Sequence, residues 1–192
     1  EQSINLEIEN LLNNKKIIDS KLLSNSFGIN CLKIATSDNK QFVVKYYYKK
    51  NDGFNAIKSE TNNLLFFNRQ KFNQFPSVIN YNDNLLIMSF INNNDDQPNQ
   101  TDADLLNTII SLHSNKSEYY GFSFDTQIGG LRQINSSSKN WLEFYRDKRL
   151  NYIFDLVNKN QPMDETINTK IDLLIKKIDN FIPNKPTSSL LH

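Results

Sequence analysis

The chain has 192 residues, 38% hydrophobic and 11% aromatic, which is enough to build a packed core for one domain or two small lobes. Its 22 basic and 21 acidic residues leave a net charge of +1, so charge gives no basis for binding nucleic acid or a membrane surface. A single cysteine excludes an internal disulfide framework, and no apolar run is long enough to cross a bilayer. We therefore expect a cytoplasmic protein with no nucleic-acid or membrane partner; the oligomeric state is left open.

The first half of the chain alternates between helical and strand-like patterns. Residues 4–18 place four apolar side chains on one face of a predicted helix. Two apolar stretches, 31–36 and 41–48, flank the turn-rich "SDNK" and predict a β-hairpin. A second helix is predicted over "FNAIKSETNNLLFFNRQ", and short strands are predicted at 78–81 and 85–91. The order helix, hairpin, helix and two strands predicts a strand-rich N-terminal lobe.

A polar segment then interrupts the pattern. Residues 92–100, "NNNDDQPNQ", contain proline and no periodicity, as a linker does. A long loop-like stretch follows at 114–138, then a helix from about 140 to 158 and a further helix near the end. The sequence therefore predicts an α+β protein with a strand-rich lobe at 1–91, a joint, and a partial helical lobe at 101–192.

The motif "FVVK" places Lys45 inside an apolar strand, on the same face as Val43. A lysine in such a strand is costly to bury unless it has a partner. Glu60, on the next predicted helix, could be that partner, and protein kinases use this strand-lysine and helix-glutamate arrangement to hold the phosphates of ATP. The alternative is that Lys45 extends to solvent from an edge strand and that Glu60 is a solvated helix residue.

Two further segments fit a nucleotide site. The apolar strand in "LLIMSFINNN" runs straight into the polar joint, as a kinase hinge does, so that backbone atoms of Ser89 and Ile91, on either side of Phe90, would meet the adenine edge and Met88 would lie at the back of the pocket. An ordinary edge strand meeting a loop remains open. The segment "SNSFGIN" contains only Gly28 where a phosphate-binding loop would be richer in glycine.

The middle of the chain, "LHSNKSEYYGFSFDTQIGGLRQINSSSKNWLEFYRDKRL", resembles the fructosamine kinase (ketosamine-3-kinase) family. That family typically shows LH, GF, D-x-x-IG, Q-x-N, a D-W pair and F-x-x-x-R in this order. The matching residues are Leu112-His113, Gly121-Phe122, Asp125 with Ile128-Gly129, Gln133 with Asn135, Trp141, and Tyr145 with Arg149.

The resemblance extends over most of the chain. "GIN", from Gly28 to Asn30, resembles the family's phosphate loop, "FVVK" its F-V-K strand, "SETNNL" its glutamate helix and "IMSFI" its hinge. It implies a two-lobed protein-kinase-like fold. Ser26 and Phe27 stand where the family has glycines, and Asn140 where it has aspartate.

The resemblance also implies an activity: transfer of the ATP γ-phosphate to the sugar 3-hydroxyl of a free or protein-bound ketosamine, which repairs glycated protein. Lys45 would hold the phosphates and Glu60 would orient Lys45, while Val43 would contact the adenine. In the family, a catalytic-loop Asp accepts the hydroxyl proton, and a catalytic-loop Asn and a later Asp hold Mg²⁺.

The catalytic segment of the family begins L-L-H-G-D-L-W, and this sequence supplies Leu190, Leu191 and His192. We therefore expect the closing segment to be the strand before the catalytic loop and the catalytic Asp to come shortly after His192. We also expect the chain alone to lack catalytic and metal-binding residues and to be inactive. Two other readings stay open: a related kinase for aminoglycoside-like or choline-like alcohols, and a catalytically dead nucleotide-binding module.

Overall fold

The computed structural model describes residues 2–49, 53–92 and 103–191. The chain forms two compact units: the first comprises Glu1–Gln97 with Gln127–Leu131, and the second comprises Pro98–Thr126 with Arg132–His192. Most of the predicted linker lies outside the described residues, so its boundaries at 92 and 100 stay a prediction.

The first unit is built on one antiparallel sheet with the strand order β1-β2-β3-β5-β4. Its elements are α1 (Gln2–Leu11), β1 (Ile17–Ser26), β2 (Ile29–Thr36), β3 (Gln41–Tyr47), α2 (Ala56–Arg69), β4 (Val78–Tyr81) and β5 (Leu85–Ser89). The predicted hairpin, second helix and two short strands are confirmed, with β5 ending two residues before the predicted limit.

The first strand corrects the sequence-based prediction. Residues 17–26 form β1, where the sequence predicted the end of a helix and a loop. All but the first residue of β1 are exposed, because β1 is an edge strand that pairs only with β2. Its apolar residues come in adjacent pairs rather than in alternation, so the sequence carries no period-2 signal there.

The two faces of the sheet carry separate cores. One face packs on α1 through fully buried residues such as Ile8, Val44 and Ile87. The opposite face packs on α2 and includes Ile57 and Leu86. We call these two sides of the sheet the α1 face and the α2 face. Side chains alternate along each strand, so successive residues of β2, β3 and β5 point to the α1 face and the α2 face in turn.

The second unit is mainly helical. Its helices are α3 (Ala103–Ser114), α4 (Trp141–Tyr145), a π-helical segment (Arg146–Asn151), α5 (Tyr152–Asn160), α6 (Glu165–Lys176) and a 3₁₀ turn (Ile178–Asn180). The predicted helix from about 140 to 158 is thus confirmed, with a π-helical middle. None of the helices in the described parts of the chain is long and apolar enough to span a membrane.

The long stretch between α3 and α4 contains a small hairpin that the sequence did not predict. Its strands are β6 (Thr126–Ile128) and β7 (Leu131–Gln133), and they pair with each other. The connecting Gly129 and Gly130 both have positive φ, 54° and 83°, as a two-residue hairpin turn requires.

The closing segment also differs from the predicted strand. Ser189 forms one isolated bridge with Lys116, and Leu190 N donates to Asn115 O at 2.9 Å. No strand includes these residues in the described part of the chain, and His192 lies outside it. The α+β class, with a strand-rich first part and a helical second part, is confirmed.

Candidate nucleotide-binding site

Lys45 and Glu60 form an ion pair on the α2 face of the sheet. The Lys45 Nζ donates to both carboxylate oxygens of Glu60, at 2.6 Å and 2.9 Å. The two side chains are 27% and 29% exposed, so the pair is half-buried and still open to a ligand. The predicted pairing is therefore present, with the lysine held by a two-pronged contact.

Local structure fixes each partner of this pair. Lys45 sits between Cys31 of β2 and Leu86 of β5, its register partners, which sets the direction of its side chain. Helix α2 begins after Asn55, whose side-chain oxygen accepts from Lys58 N at 2.9 Å. That cap starts the helix at a defined residue and thereby places Glu60 one turn further along, opposite the sheet.

The α2 face also carries the residues predicted to contact adenine. Val43 pairs with Met88 across β3 and β5, and both belong to the core on the α2 side. Because Val43 and Lys45 are two residues apart in one strand, they share this face. The structure thus brings Val43, Lys45, Glu60 and Met88 to one side of the sheet.

Asn30 is not part of that group. It pairs with Tyr46, one residue beyond the Cys31–Lys45 pair, so its side chain points to the α1 face. There its amide donates to Tyr46 Oη at 2.9 Å and its oxygen accepts from Asn25 at 2.7 Å. A nucleotide on the α2 face could meet Asn30 only through its backbone.

Gly28 lies in the tight turn between β1 and β2. This two-residue turn consists of Phe27 and Gly28, both with positive φ, 51° and 76°. Glycine adopts such a conformation freely, whereas phenylalanine does so under strain. The carbonyl of Gly28 accepts from Tyr48 N at 3.0 Å, which ties the turn to the end of β3.

The predicted hinge residues are the last residue of β5, Ser89, and the two residues after it. Ser89 exchanges two hydrogen bonds with Ser77: its N–H donates to the Ser77 carbonyl, and its hydroxyl accepts from Ser77 N, both at 2.9 Å. The ring of Phe90 is half-buried under the amino group of Lys33, 4.0 Å from the ring centroid. Ile91 is 46% exposed.

Cys31 also borders this candidate site, and the sequence pattern did not assign it there. It lies directly opposite Lys45, so its thiol shares the α2 face with the ion pair. Burial raises the pKa of the Cys31 thiol, the nearby charge of Lys45 lowers it and that of Glu60 raises it, with a net increase. The strand pairing that brings Cys31 there cannot be deduced from the spacing of the two residues in the sequence.

The motif residues of the middle segment form a network in the second unit. Asn135 is 4% exposed; its N–H donates to Asp125 at 2.8 Å, and its side chain donates to Thr126 at 2.9 Å. Arg149 donates to the Asn135 side chain at 2.6 Å and to the carbonyl of Ile134 at 2.7 Å. Three residues of the motif, Asp125, Asn135 and Arg149, are thus joined by hydrogen bonds in the folded chain.

Gly121 packs directly against the same network, and the structure leaves no room for a side chain at this position. A Cβ at this position would lie 2.5 Å from the carbonyl oxygen of Asn135, and its φ is 104°. Trp141 stacks with Tyr145 at 5.3 Å between ring centroids, and the Asn140 side chain caps the start of α4. Asn140 therefore has a structural role where the family has aspartate.

No residue can be assigned to Mg²⁺ from this geometry. Within residues 2–49, 53–92 and 103–191, no group of three or more His, Cys, Asp or Glu side chains is close enough to hold a metal ion. Glu60, the acidic residue beside Lys45, is already engaged by the lysine.

Comparison with solved structures shows which class of fold the chain adopts. The chain is similar to a protein assigned as a fructosamine-3-kinase from Thermobifida fusca, with a TM-score of 0.78, 17% identity, and coverage of 97% of this chain and 65% of that one. It is also similar to the ternary complex of APH(2″)-IIa with streptomycin and ATP, with a TM-score of 0.59, 16% identity, and coverage of 94% and 58%. The fold is therefore kinase-like, as predicted.

The profile of the fructosamine kinase family matches residues 2–192, and the chain belongs to this family. A curated relative, the chloroplastic protein-ribulosamine 3-kinase of Arabidopsis thaliana, is 32% identical over 127 residues. That alignment covers 65% of this chain and 37% of the plant protein. The chain thus spans about two-thirds of the Thermobifida protein's length and matches a little over a third of the plant protein's.

Proposed function

We propose that the first unit binds ATP on the α2 face of its sheet. The observation that carries this proposal is the two-pronged Lys45–Glu60 ion pair, half-buried beside an apolar surface. A half-buried lysine held by a carboxylate presents a fixed positive charge, which is what the phosphates of ATP require. The kinase-like fold and the ATP named in the APH(2″)-IIa complex support the same assignment.

Each residue of the site then has a role. Lys45 binds the α- and β-phosphates, Glu60 orients Lys45, and Val43 packs on the adenine with Met88 behind it. The Ser89 N–H already donates to Ser77, so the adenine contact at that residue falls to its carbonyl oxygen, with Ile91 N–H beside it. Gly28 and the backbone of Asn30 lie near the phosphates.

We propose further that the acceptor is a free or protein-bound ketosamine, phosphorylated at the sugar 3-hydroxyl as part of deglycation repair. In this step the bond between the γ-phosphorus and the β–γ bridging oxygen breaks, and a bond to the sugar 3-oxygen forms. ADP leaves, and the hydroxyl proton passes to a carboxylate base. Family membership and the name of the plant ribulosamine kinase support this acceptor.

Mg²⁺ would neutralise charge on the phosphates in such a reaction. Among the described residues, no three His, Cys, Asp or Glu side chains come together to bind it. The cytoplasmic location also stays a prediction.

The acceptor class is tested by measuring ADP release from ATP with ribulosamine-lysine, fructosamine-lysine, streptomycin or choline, using a protein that also carries the catalytic-loop Asp expected after His192. We expect transfer only with the ketosamines. Transfer only to streptomycin would favour the aminoglycoside reading, which the similarity to the APH(2″)-IIa complex makes the second candidate.

ATP binding is tested separately, by displacement of a fluorescent ATP analogue. Lys45→Met, which keeps the apolar stem and removes the charge, should weaken ATP binding by about tenfold or more, since a charge-assisted contact is worth roughly 1.5–3 kcal/mol. Lys58→Met is the matched control, because Lys58 pairs with Asp83 on an exposed surface. Equal affinities for the two variants would contradict the proposed site.

A further inference from the structure

Lys33 contacts the segment that follows β5 from two strands away. Its amino group lies 4.0 Å from the centre of the Phe90 ring, which is a cation–π distance. Lys33 belongs to β2 and Phe90 comes directly after β5, whereas β3 lies between these two strands. The contact therefore crosses β3 and joins two parts of the sheet that are not paired with each other.

The contact lies on the α2 face, beside the residues proposed to meet adenine. Lys33 is the register partner of Val43, and Val43 is that of Met88, so the three side chains form one row on this face. Phe90 comes two residues after Met88, the spacing that returns a side chain to the same face. Lys45 belongs to the neighbouring row of this face, where the phosphates are proposed to bind. The lysine and the ring are thus at the adenine end of the proposed site.

Strand pairing fixes the backbone of this region only as far as Ser89. The last pair between β3 and β5 joins Phe42 to Ser89, and Ser89 also exchanges its two hydrogen bonds with Ser77. Phe90 is the first residue after β5; its side chain is half-buried, whereas Ile91 after it is 46% exposed. The cation–π contact therefore ties the start of the segment that leaves the sheet to β2.

We propose that Lys33 is a positioning residue for nucleotide binding: through the Phe90 ring it holds the backbone of residues 89–91 where that backbone meets the adenine edge. This inference rests on the proposed ATP site of the first unit. The role differs from that of Lys45, because Lys33 acts on the protein and not on the phosphates. Removing the charge of Lys33 should therefore weaken adenosine and ATP by the same factor, whereas removing that of Lys45 should weaken ATP alone.

The test compares two lysines that lie opposite each other across β1 and β2. Lys33→Met keeps the apolar stem and removes the charge, and Lys21→Met makes the same change at its exposed register partner. Affinities are measured by displacement of a fluorescent ATP analogue. We expect Lys33→Met to weaken adenosine and ATP about threefold each, within the range that a cation–π contact supplies at a partly exposed site. Lys21→Met should leave both affinities unchanged. A loss confined to ATP would make Lys33 a phosphate ligand and overturn the positioning role.

Variants of Phe90 show whether the ring transmits the effect. Phe90→Leu removes the aromatic face and should also weaken both ligands about threefold. Adding Lys33→Met to Phe90→Leu should cost no further affinity, because the lysine acts through the ring. Lys33→Arg should bind both ligands as the unmodified protein does, since a guanidinium also stacks on an aromatic face. Strictly additive losses in the double variant, or equal losses in Lys33→Arg and Lys33→Met, would overturn the inference.

Lys45→Met separates this inference from the proposed site on which it rests. If Lys45→Met weakens ATP binding while Lys33→Met leaves adenosine and ATP unchanged, the positioning role of Lys33 fails and the ATP site stands. If the unmodified protein binds neither adenosine nor ATP, the ATP site itself fails, and the role of Lys33 fails with it. Urea unfolding of each variant excludes loss of the fold as the cause of a weaker affinity.

Discussion

Lys45 and Cys31 occupy one row across the sheet, and the sequence revealed only the first of them. A lysine within "FVVK" stands out because its charge needs a partner, whereas a cysteine among apolar residues looks like an ordinary core residue. The register of β2 and β3 makes them neighbours on the α2 face. At the scale of single residues, the proposed site therefore has a neighbour, Cys31, that no pattern in the sequence indicated.

Cys31 gives a direct probe of the proposed ATP site, since it is the single cysteine of the chain. Alkylation proceeds through the thiolate, and the raised pKa of Cys31 predicts slow labelling at pH 7 that accelerates as the pH rises toward 9. We expect ATP to slow the labelling, measured by mass spectrometry with a maleimide. Labelling that stays unchanged at saturating ATP would place the nucleotide away from β2.

Lys45→Met offers a check on the cause of this reactivity. The positive charge of Lys45 lowers the pKa of Cys31, against the larger opposing effect of burial. Removing the charge should raise the pKa further and slow the labelling at any fixed pH below it. Faster labelling in Lys45→Met would mean that the substitution has opened the sheet around the thiol.

At the scale of elements, the network of Asp125, Asn135 and Arg149 joins the hairpin to the π-helical segment. Arg149 reaches two acceptors, the Ile134 carbonyl and the Asn135 side chain, from a half-buried position. Its guanidinium also lies 4.8 Å from the centre of the Phe144 ring. The network brings residues that are distant in the sequence into direct contact.

Arg149→Met should destabilise the protein by about 2–4 kcal/mol, because it leaves the buried Asn135 side chain and the half-buried Ile134 carbonyl without their charged donor. Arg146→Met is the matched control in the same π-helical segment. Arg146 pairs with Asp147 at the surface, and such pairs are worth about 0–1 kcal/mol. Urea unfolding measures both, and equal losses would show that the network contributes no more than a surface pair.

Asp125 makes this network sensitive to acid. Burial acts to raise the pKa of its carboxyl, but the hydrogen bonds from Asn135 N and Arg132 outweigh it and lower the pKa below the usual value. A carboxylate with a lowered pKa in the folded state stabilises the fold above its unfolded pKa of about 3.9, and this contribution is lost as the pH falls through the folded value.

We therefore expect Asp125→Asn to be less stable than the unmodified protein at pH 7, and the difference to shrink on acidification below about pH 4. Urea unfolding at several pH values measures the difference. A difference that stays constant from pH 7 to about pH 3 would show that the charge of Asp125 does not support the network.

At the scale of the whole molecule, the second unit exposes many large apolar side chains. On α6, Ile167, Leu173 and Leu174 are 49%, 52% and 51% exposed, and Phe181 beyond it is 67% exposed. Clusters of exposed apolar side chains favour association. The exposed leucines of α6 are therefore where we expect copies of the protein to make contact.

We expect the protein to self-associate as its concentration rises, and Leu173→Lys with Leu174→Lys to reduce the association, as measured by light scattering after size-exclusion chromatography. Thr169→Lys is the control, because it adds the same kind of charge to an exposed polar position of α6. If the unmodified protein remains a monomer at high concentration, the exposed leucines do not drive association.

Much of the fold could be predicted from local patterns. The helical spacing before and after the hairpin, the apolar strands and the long helix near residue 150 were all visible, because periodicity reports burial within one element. The Lys45–Glu60 pairing was also predictable, since a charged residue in an apolar strand demands a partner and the next helix supplied one.

The remaining features depend on contacts between segments distant in sequence. β1 is a strand because it pairs with β2 along its whole length. The register of β2 with β3 places the Asn30 side chain on the α1 face and the Cys31 side chain on the α2 face. The motif in the middle of the chain was recognisable, but its spacing did not reveal that Asn135 and Arg149 touch. The sequence alone determined the class, the family resemblance and the charged pair. Only the tertiary structure decided which residues share a face, because strand register is set by the packing of the whole sheet.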